Sequence, residues 1–363
     1  MKNGARFLAL AAVVLLPLTA AGTQADWTAA NRALVDGYVI PRYAALALAT
    51  ARLAEEADTF CRTPDAESLE KARDGFHGVM DAWQAVGHLS FGPVELYMRR
   101  YRFELWPDKH NTAAKQLRTL LAAENREILT EGAFARASVA IQGLPALESL
   151  LFEEGVDASA FGSGRESSYR CELMQAIAGN LAAMATEVLE AWTSGTPPVR
   201  EQVLTAAEGN GHFASGAEVS VLFLRDLRTS LQTVADLKLA RPLGEDAPAA
   251  KPRRAESWLS GRSLRNIRID LEAARDLYLT GYAPLLAAIP QTTVLDERIR
   301  AAFSEALAAD ALEASLADQV ADPARRPGIG RLLASVRTLE QLVAQELPEA
   351  LGLTIGFNAL DGD

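Results

Sequence analysis

The sequence predicts an all-α protein of two helical-bundle halves packed together. Three observations point there. Apolar residues recur near every 3.6 positions along several long stretches, strand-like alternation is nearly absent, and one Gly/Pro-rich break divides the chain almost evenly. With 363 residues, 49% of them hydrophobic, the chain has ample material for a core, which excludes a disordered protein.

In order, Met1 to Ala25 carries Lys2 and Arg6 ahead of the apolar run Phe7 to Leu18, then small residues up to Asp26. That order predicts a cleavable signal peptide over residues 1–25 and a periplasmic mature protein. The run is too short to span a bilayer comfortably, and no later stretch is longer. The first half is expected over 26–193. Pro64-Asp65 opens one of its helices, and Leu173, Ile177, Leu181, Met184, Val188 and Trp192 form the buried stripe of another. Ser194-Gly195-Thr196-Pro197-Pro198 breaks the pattern. The second half, 199–363, repeats helical stripes at Leu224, Leu227, Leu231 and Val234, and at Leu332, Val336, Leu339 and Val343, with Gly244 to Arg254 as an exposed loop between them.

A net charge of -11 gives no electrostatic footprint for nucleic acid or an anionic membrane. Cys61 and Cys171 are the only cysteines. Two thiols cannot build a Cys-based metal site, and in an oxidising compartment an even pair predicts a disulfide. There is no HExxH, GxSxG or P-loop, and only four histidines. A mixed His and carboxylate site is the most that a metal could find. His77 and Asp81, four apart on one helix face, are the candidate clamp for iron or another divalent cation, with His88 further along the stripe; the same residues also suit a solvated polar face.

The segment Gly143-Leu144-Pro145-Ala146-Leu147-Glu148, followed by Ser149-Leu150-Leu151-Phe152, resembles the GxHxxE signature of the imelysin-like family. Supporting blocks follow the same order along the chain. They are Trp83 with Phe91-Gly92-Pro93, Trp106-Pro107-Asp108-Lys109, Lys238 through Gly244, and Glu256-Ser257-Trp258-Leu259-Ser260-Gly261-Arg262-Ser263. The resemblance implies an exported two-bundle protein tied to iron uptake, some relatives being classed as metallopeptidases. Here the signature histidine is Pro145, which has no ligand atom and suits the first helical position. Glu148 then stands as a buried acceptor, a pocket residue or a lone ligand. Ser257 to Ser263, with hydroxyls, a glycine and Arg262 ahead of a helix, has the make-up of an anion cradle, or of a helix N-cap with a packed tryptophan.

The expected function is therefore a non-enzymatic binding protein for a metal or an iron-containing ligand, its site between the bundles. Gly143, Pro145, Glu148, Trp83 and His88 would line it from the first half, and Lys238, Trp258, Ser260 and Arg262 from the second. The alternatives are a metallopeptidase with its metal moved to His77, Asp81 or His88, and a scaffold docking on an envelope partner protein.

Overall fold

The computed structural model describes residues 26–309, 311, 315–354 and 356; the expected signal peptide lies outside them. Every regular element among the described residues is helical, in two bundle halves. None is long and apolar enough to cross a membrane.

In the first half the helices Ile40–Arg62, Ala66–Gln84 and Arg165–Thr193 pack together, with Thr112–Ala123 and Leu144–Phe152 laid against them. Asp65 caps Ala66–Gln84: its carboxylate accepts from the Ser68 N–H at 2.8 Å, and the Ser68 hydroxyl accepts from the Asp65 N–H. The stripe from Leu173 to Trp192 is buried throughout, as the 3.6 period requires. Cys61 and Cys171 are bonded, tying the end of Ile40–Arg62 to the start of Arg165–Thr193 with 5.6 Å between Cα atoms.

The second half is built on Gly216–Gln232, Ser263–Leu277, Thr293–Leu307 and Arg326–Gln341. Among the described residues, four wide π turns interrupt the helices: Val35–Val39, Thr233–Ala240, Tyr278–Tyr282 and Leu342–Glu346. Each runs into a helix with proline in its first turn, namely Pro41, Pro242, Pro284 and Pro348. A proline ring crowds the carbonyl one turn back and offers no N–H, and the extra residue of a π turn relieves both faults without ending the helix.

The helix Trp27–Leu34 packs on the second half, although it lies in the range 26–193 expected for the first. The Asn31 amide donates to the Gly216 carbonyl and its oxygen accepts from Ser220, both at 2.7 Å. Leu34 sits so close to Gly281 that a Cβ there would lie 2.7 Å from a leucine methyl. The Val35–Val39 turn then carries the chain into Ile40–Arg62.

Candidate functional site

The two halves meet where Ala66–Gln84 lies along Ser263–Leu277. Both helices are amphipathic, and each sends polar side chains into the contact. On the first these are His77, Asp81 and Gln84; on the second, Asn266 and Asp270, with Arg262 just ahead. Buried polar groups persist only when bonded, and here the bonds form one chain across the interface.

At one end, Arg262 donates through Nη2 to Asp81 at 2.5 Å, through Nη1 to the His77 carbonyl at 2.9 Å, and through Nε to Asn266 at 2.7 Å. Its Nη1 also lies 3.0 Å from His77 Nδ1. Arg265 takes the other Asp81 oxygen. The metal clamp expected at His77 and Asp81 is corrected by this geometry: a guanidinium occupies the space a cation would need, and burial together with Arg262 and Arg265 lowers the His77 pKa. Asn266 continues the chain to Glu256 at 2.7 Å.

At the other end stands Lys238, 5% exposed. Its ammonium lies 2.6 Å from Asp270, 2.8 Å from Glu256 and 2.7 Å from the Gln84 oxygen. Burial disfavours the ammonium, but Asp270, Glu256 and Glu104 outweigh it and raise the Lys238 pKa. Glu104 accepts from the Trp83 indole at 2.7 Å and from Gln84 at 3.3 Å. Burial, with Glu256 and Asp270 close by, pushes Glu104 up to about 8, while burial pushes Asp270 up to about 7 against the pull of Lys238. Burial and these neighbouring carboxylates thus favour the protonated form of Glu104.

That acid faces a cavity of about 730 Å³ between the halves, the size of a drug-like ligand site. Trp83, His88, Glu104 and Trp106 line it from the first half, and Arg225, Ser230, Thr233, Lys238 and Arg241 from the second. His88 is held neutral: burial, with Arg42 next, pushes it down to about 3. Tyr38 spends its only hydroxyl proton on the Ala273 carbonyl at 2.9 Å. His88 Nε2, also 2.9 Å from that hydroxyl, must therefore be the donor, which leaves Nδ1 as an acceptor.

The signature segment serves a different purpose. Gly143 caps the helix Leu144–Phe152, and a Cβ at this position would fall 2.5 Å from the carbonyl oxygens of Arg102 and Phe103. Pro145 is the second helical residue, one later than expected, and offers no ligand atom. Glu148 lies outside the cavity wall: Oε1 accepts from the Ser260 N–H at 2.9 Å and from its hydroxyl at 2.6 Å. Burial raises the Glu148 pKa against those bonds. In the segment Ser257–Ser263, expected as an anion cradle, the Ser260 N–H and hydroxyl are taken by the protein's own Glu148. Trp258 is also outside the wall, 37% exposed beneath the Arg253 guanidinium. Of the expected site residues, Trp83, His88 and Lys238 line the cavity, while Glu148, Ser260, Arg262, His77 and Asp81 fasten the halves together.

Among the described residues no three His, Cys, Asp or Glu side chains converge as a metal-ligand set. Among the described residues, Arg262 takes the place of a metal beside His77 and Asp81, and Lys238 takes it between Glu256 and Asp270. Glu104, Glu256, Asp270 and Arg225 were not singled out in the sequence. Asp270 was findable, since Arg262, Asn266 and Asp270 recur every four residues beside the buried Ile267, Leu271 and Ala274. Glu104 had no such signal, its stretch being short and irregular.

The displaced Glu104 ionisation makes a checkable prediction. The folded protein keeps a proton that the unfolded chain releases near pH 4.5, so the stability from this group falls as pH rises from about 4.5 to about 8 and is flat beyond. Glu104→Gln abolishes that titration. Urea unfolding at pH 5, 7 and 8.5 should show the variant gaining on the wild type, by on the order of 4 kcal/mol in total. A difference that does not change with pH would contradict the assignment.

Comparison with known proteins places this architecture. The model of the imelysin family, Peptidase_M75, matches residues 39–343. Iron-regulated protein A of Synechococcus elongatus is 26% identical over 249 residues, covering 67% of this chain and 62% of that protein, so the chain spans a little under two thirds of its length. An imelysin-like protein from Psychrobacter arcticum has the same fold, with a TM-score of 0.73 at 19% identity over 92% of this chain and 99% of that one. A putative iron-regulated protein A precursor from Parabacteroides distasonis gives 0.73 at 16% identity, over 91% and 97%.

Proposed function

The chain belongs to the imelysin family, and from that premise we propose that it is a non-enzymatic binding protein for iron presented as a small-molecule chelate, held in the cavity between the halves. One observation carries this reading. The carboxylates Glu256 and Asp270, which would otherwise attract a bare cation, already surround the Lys238 ammonium. A cavity neutralised from within suits a ligand that brings its own metal coordination. Trp83 and Trp106 contribute apolar ring atoms to the lining, and Glu104 and His88 offer one donor and one acceptor, which is the balance of a small-molecule site. The link to iron comes from the names of the similar proteins.

The protein acts in an oxidising compartment on this reading, exported to the periplasm by residues 1–25. The Cys61–Cys171 bond supports it, since such bonds are rare in reducing cytosol. A second reading, delivery to an envelope partner protein, is favoured by the exposed Leu96, Tyr97, Met98 and Tyr101 beside the cavity mouth.

Equilibrium dialysis of the mature protein against ferric citrate, ferric maltol and free Zn²⁺, with a peptide-hydrolysis assay alongside, tests the main reading. Retention of an iron chelate, no stoichiometric Zn²⁺ and no cleavage is the expected outcome. Stoichiometric Zn²⁺ with chelator-sensitive cleavage would replace it with a metallopeptidase.

A further inference from the structure

We propose that the second-half wall of the cavity is an oxyanion subsite, formed by Arg241, Ser230 and Thr233 with Arg225, and that the ligand is an anionic, carboxylate-bearing chelate. The inference rests on the cavity being the ligand site and adds the charge and chemistry of what enters it.

Arg225, Thr229, Thr233, Leu237 and Arg241 recur every four residues and all line the cavity. In an uninterrupted α-helix such a row drifts around the axis. The π turn Thr233–Ala240 carries more residues per turn and brings the row back to one face. A guanidinium therefore stands at each end of a wall whose middle carries hydroxyl groups.

What marks the wall as a binding surface is the state of its donors. No carboxylate among the described residues pairs with Arg241, which is half-buried, and burial together with Arg254 lowers its pKa. Its place at the end of a helix favours a cation but leaves the guanidinium without a partner. Ser230 is 7% exposed, and its buried hydroxyl has no hydrogen-bond partner. Ser230 lines the cavity, where a ligand oxygen can supply the missing partner. Arg225 makes only long contacts, 3.2 Å to the Ser90 hydroxyl and 3.3 Å to Asp226, whose oxygens are already taken by Ser90 at 2.7 and 2.5 Å.

The acids of the cavity floor present the opposite case. Glu256 and Asp270 have Lys238, and Glu104 has Trp83. On the second-half wall the Arg241 and Ser230 donors lack acceptors, and unpaired buried donors are costly until a ligand supplies oxygen atoms. The opening also carries Arg225, Arg241, Arg100 and Lys109 beside the carboxylate of Glu95, which lies 3.9 Å from Arg100, an excess of cations in a protein of net charge -11.

Calorimetric titration of the mature protein with ferric citrate, an anionic carboxylate chelate, and ferric maltol, a neutral one, tests the proposal in wild type, Arg241→Gln, Ser230→Ala and Trp106→Ala, with thermal melts to confirm folding. Arg241→Gln should weaken ferric citrate by about tenfold or more, the loss of a charge-assisted bond, and Ser230→Ala by severalfold, neither affecting ferric maltol. Undiminished ferric citrate binding by folded Arg241→Gln, or a wild type that binds ferric maltol and not ferric citrate, would overturn the oxyanion subsite and leave the cavity reading standing. Binding of both chelates unchanged by Trp106→Ala, or no binding to wild type at all, would overturn the cavity reading and the subsite together.

Discussion

Lys238→Met should cost about 3–5 kcal/mol of stability, the usual penalty for removing one partner of a buried ion pair. The methionine fills the space of the lysine stem, so the loss comes from charge and not from a void. Without the ammonium, Glu256 and Asp270 face each other with no cation between them, and Gln84 loses the donor to its oxygen. Two consequences separate this account from simple misfolding. Adding Glu256→Gln and Asp270→Asn in the same chain should restore most of the stability, because the uncompensated charge is gone. Mn²⁺ should raise the melting temperature of Lys238→Met and leave the wild type unchanged, since carboxylates released from the lysine are free to take a divalent ion and binding to the folded state stabilises it by mass action. A Lys238→Met protein as stable as wild type would show that the ammonium does not balance this cluster.

Removing the disulfide should have an effect of similar size. Cys61 and Cys171 are 110 residues apart, and in the chain-entropy model closing so long a loop contributes about 4–5 kcal/mol by limiting the unfolded state. The double variant Cys61→Ser, Cys171→Ser should unfold at clearly lower urea and be insensitive to reductant, while the wild type should move toward it when reduced. A wild-type midpoint unaffected by full reduction would contradict that contribution.

Much of the architecture was legible because it rests on periodicity. The stripes at Leu173–Trp192, Leu224–Val234 and Leu332–Val343 are buried along their whole lengths, and the Ser194–Pro198 break falls between two helices. The π turns were not legible: Pro41, Pro242, Pro284 and Pro348 follow them inside helical patterns, but a proline alone does not distinguish a bulge from a helix end.

The site was legible only in part. Lys238, Trp83 and His88 reach the cavity from blocks that resemble the family. Glu148 and Arg262 do not, because a partner more than a hundred residues away took each of them. The Ser260 backbone receives the glutamate, and Asp81 receives the arginine. Spacing within a helix shows which groups share a face; it does not show which group on another helix arrives to meet them. His77 and Asp81 illustrate this, being spaced for a metal and filled by a guanidinium.

Crystals of the mature protein grown with ferric citrate, with an anomalous difference map at the iron edge, test the central claim most directly. The account predicts one iron peak inside the cavity between Trp106 and Arg241, with the iron's ligands supplied by the chelate and not by protein side chains. Iron bound directly by Glu148, or by His77 and Asp81, would contradict it.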